Sequence, residues 1–471
     1  MRQFLWLPII PFALVLAGCT STGAGTPDTA RAWLAGDHHI HSRYSVGWTE
    51  TDPPQPIIGG DAIYPIYRNA EMARSFGLDW MVATDHGGPN HSKVSLEQAY
   101  PELVASRERV PEVIQFMGLE LNTPGADHSS IIIPHTHDEG ERLYEYEHRF
   151  DKYEPWPGDP ARDSEPLMLE ALEFIKTYPA KPVVIAHHPS RSAPRLGEYG
   201  LTGPAELRAW NDTAPEIAVG MEGAPGHQAA TISERNAKRG AYGRGYPTLG
   251  GFDQMTARLG GFWDSMLGEG RRWWITANSD SHVHYTEGGI DFWPGEYSKT
   301  YVHAEKDHDD ILEGIRRGRV FVTLGDLVSE ASVTVTDGSR TADIGGEIGI
   351  DRGDTITVDI RLRDPDGVNF GGENPSVSRV DLIIGDVRGR LDDHSHDRNT
   401  STRVLKRFDA GDWRRDGEYL SMSYTFEPQA PIYLRVRGTN TDQLEPEPDL
   451  PGENPWSDLW FYTNPVFVSL Q

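Results

Sequence analysis

Gly36-Asp37-His38-His39-Ile40-His41-Ser42 is the stretch on which the fold of this chain turns. It places two imidazoles, His39 and His41, two residues apart. In an extended strand residues i and i+2 project to the same side, so a strand that ends in His-x-His offers two neutral nitrogen donors in one direction, with His38 facing away. A lone His-x-His is a common accident. Its meaning depends on what the rest of the chain brings to the same place.

Outward from that stretch, over residues 33–327, short apolar runs alternate with polar loops and helical patterns. The runs are Trp80-Met81-Val82-Ala83, Val113-Ile114, Ile131-Ile132-Ile133, Val183-Val184-Ile185, Ile217-Ala218-Val219 and Trp273-Trp274-Ile275-Thr276, with a weaker one at Tyr301-Val302. They are short, uncharged and often β-branched, as buried parallel strands are. Helical spacing falls between them over 70–76 and 167–175, and again at Ile311, Leu312 and Ile315 before Gly318. Alternating strands and helices predict an α/β fold, and six or seven such units suit a barrel at least as well as an open sheet. After about Leu327 the texture changes to runs that alternate apolar with polar, such as Thr355-Ile356-Thr357-Val358-Asp359-Ile360 and Ile432-Tyr433-Leu434-Arg435-Val436. No helical pattern intervenes, which predicts an all-β sandwich. The expected organisation is therefore a leader over 1–18, a tether over 19–35, a barrel over 36–327 and a sandwich over 328–471.

Polar clusters follow the apolar runs. Thr84-Asp85-His86 follows the first, Gly118-Leu119-Glu120 the second, with His128 eight residues later. His187-His188-Pro189-Ser190-Arg191 and Ser279-Asp280-Ser281-His282 follow two more. In a β/α barrel the carboxyl ends of the strands open on one face, where active sites form. Such a fold gathers His39, His41, His86, Glu120, His128, His188, Asp280 and His282, eight candidate ligands, into one place. With a single cysteine in the chain the donors are nitrogen and oxygen, which suit Zn²⁺, Mn²⁺ or Fe²⁺ in an open site. Eight donors are too many for one ion and enough for two or three, with a carboxylate bridging. Neighbouring divalent ions hold and acidify a water and stabilise charge on phosphoryl oxygens.

The ordered succession Asp-x-His-x-His-Ser, Thr-Asp-His, Gly-x-Glu, His-Pro and Ser-Asp-x-His resembles the PHP (polymerase and histidinol phosphatase) superfamily over about residues 36–327. The resemblance implies a distorted (β/α)7 TIM-like barrel and a di- or trinuclear metal-dependent phosphoesterase. By position it makes His39, His41, His86, His128, His188, Asp280 and His282 ligands and Glu120 the bridging carboxylate. It prefers His188 over His187, because His188 directly precedes the proline. Arg191 takes the His-Pro-x-Arg position, where a guanidinium would meet the substrate phosphate. One departure is visible: many small PHP phosphatases continue the first motif as Ser-x-x-Ser-Asp-Gly, and here it reads Ser42-Arg43-Tyr44-Ser45-Val46-Gly47. Val46 cannot ligate, so an acid that some relatives use is expected to be absent. The barrel followed by a sandwich, Arg316-Arg317-Gly318-Arg319 and the closing Asn464-Pro465-Val466-Phe467 are similar to a PHP branch that includes carbaryl hydrolases.

Less committed readings stand beside these. Asp37 and Asp85 support ligand histidines from behind, although Asp85 could itself ligate. His187 is either a strand histidine with a satisfied partner or a proton shuttle. Glu222 lines the pocket or caps a helix. His394-Ser395-His396 repeats the spacing in an acidic loop without partner motifs and reads as surface. The stretch 223–263 reads as a long loop over the mouth. The same metal site would also serve carboxylic or carbamate ester, or amide, hydrolysis. A third reading is a non-catalytic, metal-containing binding lipoprotein.

Composition bounds the partners. Arg2, a short apolar run broken by Pro8 and Pro11, and Leu16-Ala17-Gly18-Cys19 resemble a bacterial lipoprotein signal. The resemblance implies cleavage before Cys19, lipid on its sulfur and export. Thr20 in place of aspartate points to an outer-membrane anchor facing the periplasm. The net charge of -27 leads to the expectation that no nucleic acid is bound at the surface. The substrate expected from the metal site is a small phosphoester or ester. The sequence leaves the oligomeric state open.

Overall fold

The computed structural model describes residues 31–226 and 248–471. The leader, Cys19, most of the tether and residues 227–247 of the expected loop lie outside the described residues. Among the described residues no helix is long and apolar enough to cross a membrane.

The His-x-His stretch is the end of β1 (Ala32–Ile40), buried from Leu34 onward. Six more strands stand around the same space: β2 (Trp80–Ala83), β3 (Ile114–Asn122), β4 (His128–Ile132), β5 (Val183–Ala186), β6 (Ala218–Pro225) and β7 (Trp274–Asn278). They pair in the order β7-β6-β5-β4-β3-β2-β1. The ring is drawn together where Ile40 bridges Ser281, with His41 N donating to Ser281 O at 2.9 Å. Every pairing along this path is parallel except those of β4, which runs antiparallel to both β3 and β5. The expected run of parallel strands is thus interrupted. The reversal has a use: it puts the first residue of β4, His128, on the face where the other strands end.

Helices cover the outside. Ile66–Ser75 lies between β1 and β2, Tyr100–Arg109 between β2 and β3, Glu165–Ile175 before β5, and Pro204–Thr213 before β6. The helix His308–Arg316 shows how the local sequence sets such an element. Asp307 caps its start by accepting from Asp310 N, Ile311, Leu312 and Ile315 turn inward, and Gly318 ends it with φ of +69°.

The main sheet does not stop at the barrel. β8 (Ser298–Ala304) pairs antiparallel with β1, and β9 (Val320–Leu324) with β8. The main strands that follow are β10 (Glu330–Thr336), β11 (Ile356–Arg363), β12 (Arg379–Asp386), β13 (Tyr419–Phe426), β14 (Ile432–Thr439), β15 (Trp460–Thr463) and β16 (Val466–Leu470). β15 hydrogen-bonds β9, β14 pairs with β15, and β12 with β14, so the barrel sheet runs on into the C-terminal region. β10, β11 and β13 form a separate antiparallel sheet with the short strands Thr341–Ala342 and Arg414–Asp416. Val335 and Ile360 of that sheet share one buried core with Leu382 and Val436 of the other. The C-terminal region therefore holds two β layers, one of which is an extension of the barrel's own sheet, and residues Arg31–Gln471 pack as one unit.

Candidate metal centre

Glu120 sits at the centre of the convergent side chains. Its Oε1 lies 2.7 Å from His128 Nδ1, 3.0 Å from His188 Nε2 and 3.1 Å from His187 Nδ1. His39 Nε2 is 3.3 Å from Oε1, and His41 Nε2 is 3.3 Å from Oε2. Asp280 Oδ1 faces the same pair, 3.1 Å from His39 Nε2 and 3.0 Å from His41 Nε2. Three sets of donors close enough to hold an ion share members here: His39, His41, Glu120 and Asp280; Glu120, His128 and His188; and His41, His86 and His282. All eight residues expected from the sequence are brought together.

The donor sets fit divalent ions. His39 Nε2 and His41 Nε2 approach to 2.9 Å while both point at Asp280. Two imidazole nitrogens so close cannot both carry protons, and a shared cation satisfies both lone pairs. The strain is also local: His188 and Asp280 both adopt positive φ, +24° and +50°. Non-glycine residues in that region cost about 1–3 kcal/mol each and gather at functional sites.

Charge alternates through the cluster. Burial would raise Glu120, but the imidazoles of His128 and His39 hold it well below the usual carboxylate range. Glu222 is lowered to about 2 against its burial by His187 and His39. Burial lowers His188 to about 4, helped by the Arg191 guanidinium. His282 rises to about 10 despite burial, chiefly through Asp61 and Asp280.

Asp61 is the residue that sequence reasoning missed. Its Oδ2 lies 3.2 Å from His86 Nε2 and 3.3 Å from His282 Nε2. The acid expected to be missing at Val46, which is buried in the core, is thus supplied fifteen residues later in the chain. The intervening segment folds into a small hairpin, Gly47–Trp48 against Pro56–Ile57, and returns Asp61 to the mouth. Nothing in local periodicity marks that return.

The supporting residues sit where their chemistry is useful. Asp37 accepts from the backbone N–H groups of His39 and Ser279, at 3.0 Å each, and ties the two motifs together. Burial raises its carboxyl to about 7. Asp85 accepts from Ser42 N, Ser42 Oγ and Ser45 Oγ, and Ser45 Oγ lies 2.8 Å from His41 Nδ1. It stands behind His41, not among the converging donors. Glu222 lines the site: its Oε1 is 2.7 Å from His39 Nδ1, and its Oε2 accepts from His188 N at 2.5 Å. His187 stacks on His39 with ring centroids 3.6 Å apart. His38 does not face away. The register of β1 against β2 slips between Asp37 and Ile40, and this bulge turns His38 inward to within 2.8 Å of Thr276 Oγ1, in a group with His187 and Glu222. Arg191 Nη2 donates to Asp127 Oδ1 at 2.7 Å and reaches to 3.3 Å of His128 Nδ1, at the edge of the cluster. His394 and His396 are on the exposed surface, as expected.

The chain is thus a mixed α/β fold with a large, barrel-like mixed sheet whose convergent His, Asp and Glu donors are close enough to hold several divalent ions. No family model and no curated protein matches the chain. Among solved structures it is similar to the novel lesion-specific endonuclease PfuEndoQ from Pyrococcus furiosus, at 14% identity and a TM-score of 0.34, covering 61% of this chain and 56% of that one. It is also similar to Endonuclease Q in complex with a 27-mer duplex substrate with an abasic lesion at the active site, at 13% identity and a TM-score of 0.30, with the same coverage. The chain thus spans just over half the length of each. One expectation is corrected. The exclusion of a nucleic-acid partner rested on net charge alone; the Endonuclease Q structure is a complex with a duplex substrate, and divalent ions held by donors such as these would invert the local sign of charge, so the exclusion is withdrawn.

Proposed function

We propose that this protein is a metal-dependent phosphoesterase whose centre holds two or three divalent ions. The observation that carries this reading is the placement of Glu120, whose two oxygens face two donor sets while His41 joins the third. Zn²⁺, Mn²⁺ or Fe²⁺ would be held by His39, His41, Glu120 and Asp280, by Glu120, His128 and His188, and by His41, His86 and His282 with Asp61. Bound there, the ions supply Lewis acidity and a water acidic enough to react at neutral pH. The chain's own residues fix the geometry. Glu222 accepts from His39 Nδ1 and so keeps the Nε2 lone pair turned toward Asp280 and Glu120. Ser45, itself held by Asp85, does the same for His41. Arg191, steadied by Asp127, offers its guanidinium to the non-bridging oxygens of a phosphate as negative charge develops.

The test is metal analysis of the purified protein together with turnover of p-nitrophenyl phosphate, its diester, a duplex with an abasic site and an aryl N-methylcarbamate. Phosphoester turnover that falls at least about 1,000-fold in a His39→Ala, His41→Ala double variant is the expected result. Full activity in that variant sinks the mechanism, and preference for the carbamate replaces phosphorus by carbon as the reacting centre. Export with lipid on Cys19 belongs to the same reading, supported by Leu16-Ala17-Gly18-Cys19. Labelling with a radioactive fatty acid should be lost in Cys19→Ser.

A further inference from the structure

Behind the three donor sets of the centre lies a fourth group, His38, His187 and Glu222, whose donor atoms are also close enough to share one ion. All three residues are fully buried. Their hydrogen bonds leave a gap. His187 Nδ1 lies 3.1 Å from Glu120 Oε1, and its proton belongs there, because an ionised carboxylate can only accept. A neutral ring then carries a bare lone pair on Nε2. That nitrogen is buried with no hydrogen-bond partner among the described residues, and it faces Glu222 Oε1, a second acceptor, at 3.5 Å. The separation is longer than a hydrogen bond. It matches the edge of a tetrahedral zinc shell, in which a nitrogen and an oxygen each about 2.1 Å from the ion stand about 3.4 Å apart. By contrast, the same Glu222 oxygen meets His39 Nδ1 at 2.7 Å, an ordinary hydrogen bond.

His38 brings a second imidazole. Its Nδ1 is likewise buried without a partner among the described residues, and its Nε2 lies 2.8 Å from Thr276 Oγ1. Thr276 stands opposite Glu222 in the register of β7 against β6, so its hydroxyl borders the same group.

We propose that His38, His187 and Glu222 form a separate, closed zinc site, with the Thr276 hydroxyl as the fourth donor. Two imidazoles and a carboxylate, shut away from solvent and without an open position, suit a structural Zn²⁺. None of these residues is a ligand in the three sets assigned to the centre. Glu222 can bind the ion and still accept from His39 Nδ1, because a carboxylate oxygen has two lone pairs. The position gives the site a consequence. The ion would tie the bulge of β1 to the end of β5 and to β6. It would also fix Glu222 and the His187 ring, which together hold His39 by a hydrogen bond and by stacking at 3.6 Å. The first ligand of the centre would then be braced from behind by a second metal-bound group.

The experiment uses the full chain, equilibrated with Zn²⁺, dialysed and counted for bound metal, together with an anomalous difference map of its crystals at the zinc edge. The expected result is a peak enclosed by His38, His187 and Glu222, apart from those of the centre, and the loss of one zinc equivalent in His38→Gln. His128→Ala should lose a different equivalent, and the two losses should add in the double variant. A map without that peak overturns the proposal, as does an unchanged zinc content in His38→Gln. If that variant does not fold, the map of the unaltered protein decides alone. Neither readout needs turnover, so failure of the phosphoesterase reading would show on the substrate panel and leave this site to be judged by its zinc.

Discussion

Glu120 carries two oxygens between imidazoles supplied by β1, β4 and the turn after β5, and its consequences are those of one atom pair shared by several neighbours. Glu120→Gln keeps the shape and removes the charge, so it should empty more than one ion position, which metal analysis reads directly. Asp61 acts at one position only. Asp61→Asn should weaken one metal equivalent by about 10–100-fold and leave the others bound. His91 is buried away from the centre with Nδ1 2.5 Å from Glu147 Oε1. Burial would lower its pKa, but Glu147 raises it to about 9 from 6.5. A raised histidine contributes stability that is fully present below pH 6.5 and is lost as pH rises through 9. That contribution is on the order of 3 kcal/mol at most. The unfolding midpoint should therefore fall between pH 6.5 and 9, and His91→Gln should flatten that slope.

Elements place these residues through backbone irregularities that side-chain patterns do not announce. The bulge in β1 turns both His38 and His39 inward, and the reversed direction of β4 brings His128 to the working face. β1 can lie against β2 only because Gly36 has no side chain: a Cβ there would fall 1.9 Å from Trp80 Cε2. Trp80 is fully buried and its indole N–H donates to Leu34 O at 3.1 Å, so it has nowhere to move. Gly36→Ala should cost about 3 kcal/mol in urea unfolding and lower metal content with it, because the same strand carries the first ligands. A neutral effect would show that β1 can slide without disturbing the centre.

At the scale of the whole molecule, the C-terminal region completes the barrel's sheet. Asn464 accepts from Ile275 N at 2.9 Å and donates to Ile275 O, holding β7 from a position 189 residues away in sequence. Arg435 clamps Asp264 with two bonds of 2.9 and 3.0 Å, all fully buried. A chain ended at residue 327 would expose the edge of β9 and leave Asp264 buried without its partner, which is strongly destabilising. Such a fragment should aggregate on size exclusion and lack a near-ultraviolet circular dichroism signal. A well-folded monomeric fragment would show that the shared sheet is dispensable.

The sequence by itself determined which residues could do chemistry and which segments would be strands. An apolar run that breaks into His, Asp or Glu is a local pattern, and the eight expected donors, the inner strands and the helix before Gly318 were all legible from it. What only the tertiary structure decided are the features that depend on long-range pairing: the reversed β4, the inward turn of His38, the sheet shared between β9 and β15, and the return of Asp61 to a place that Val46 leaves without an acid. Net charge, a property of the whole chain, does not decide partners for the same reason. A site's ligands are chosen by the few groups that the fold gathers, and folding gathers them without regard to their distance along the chain.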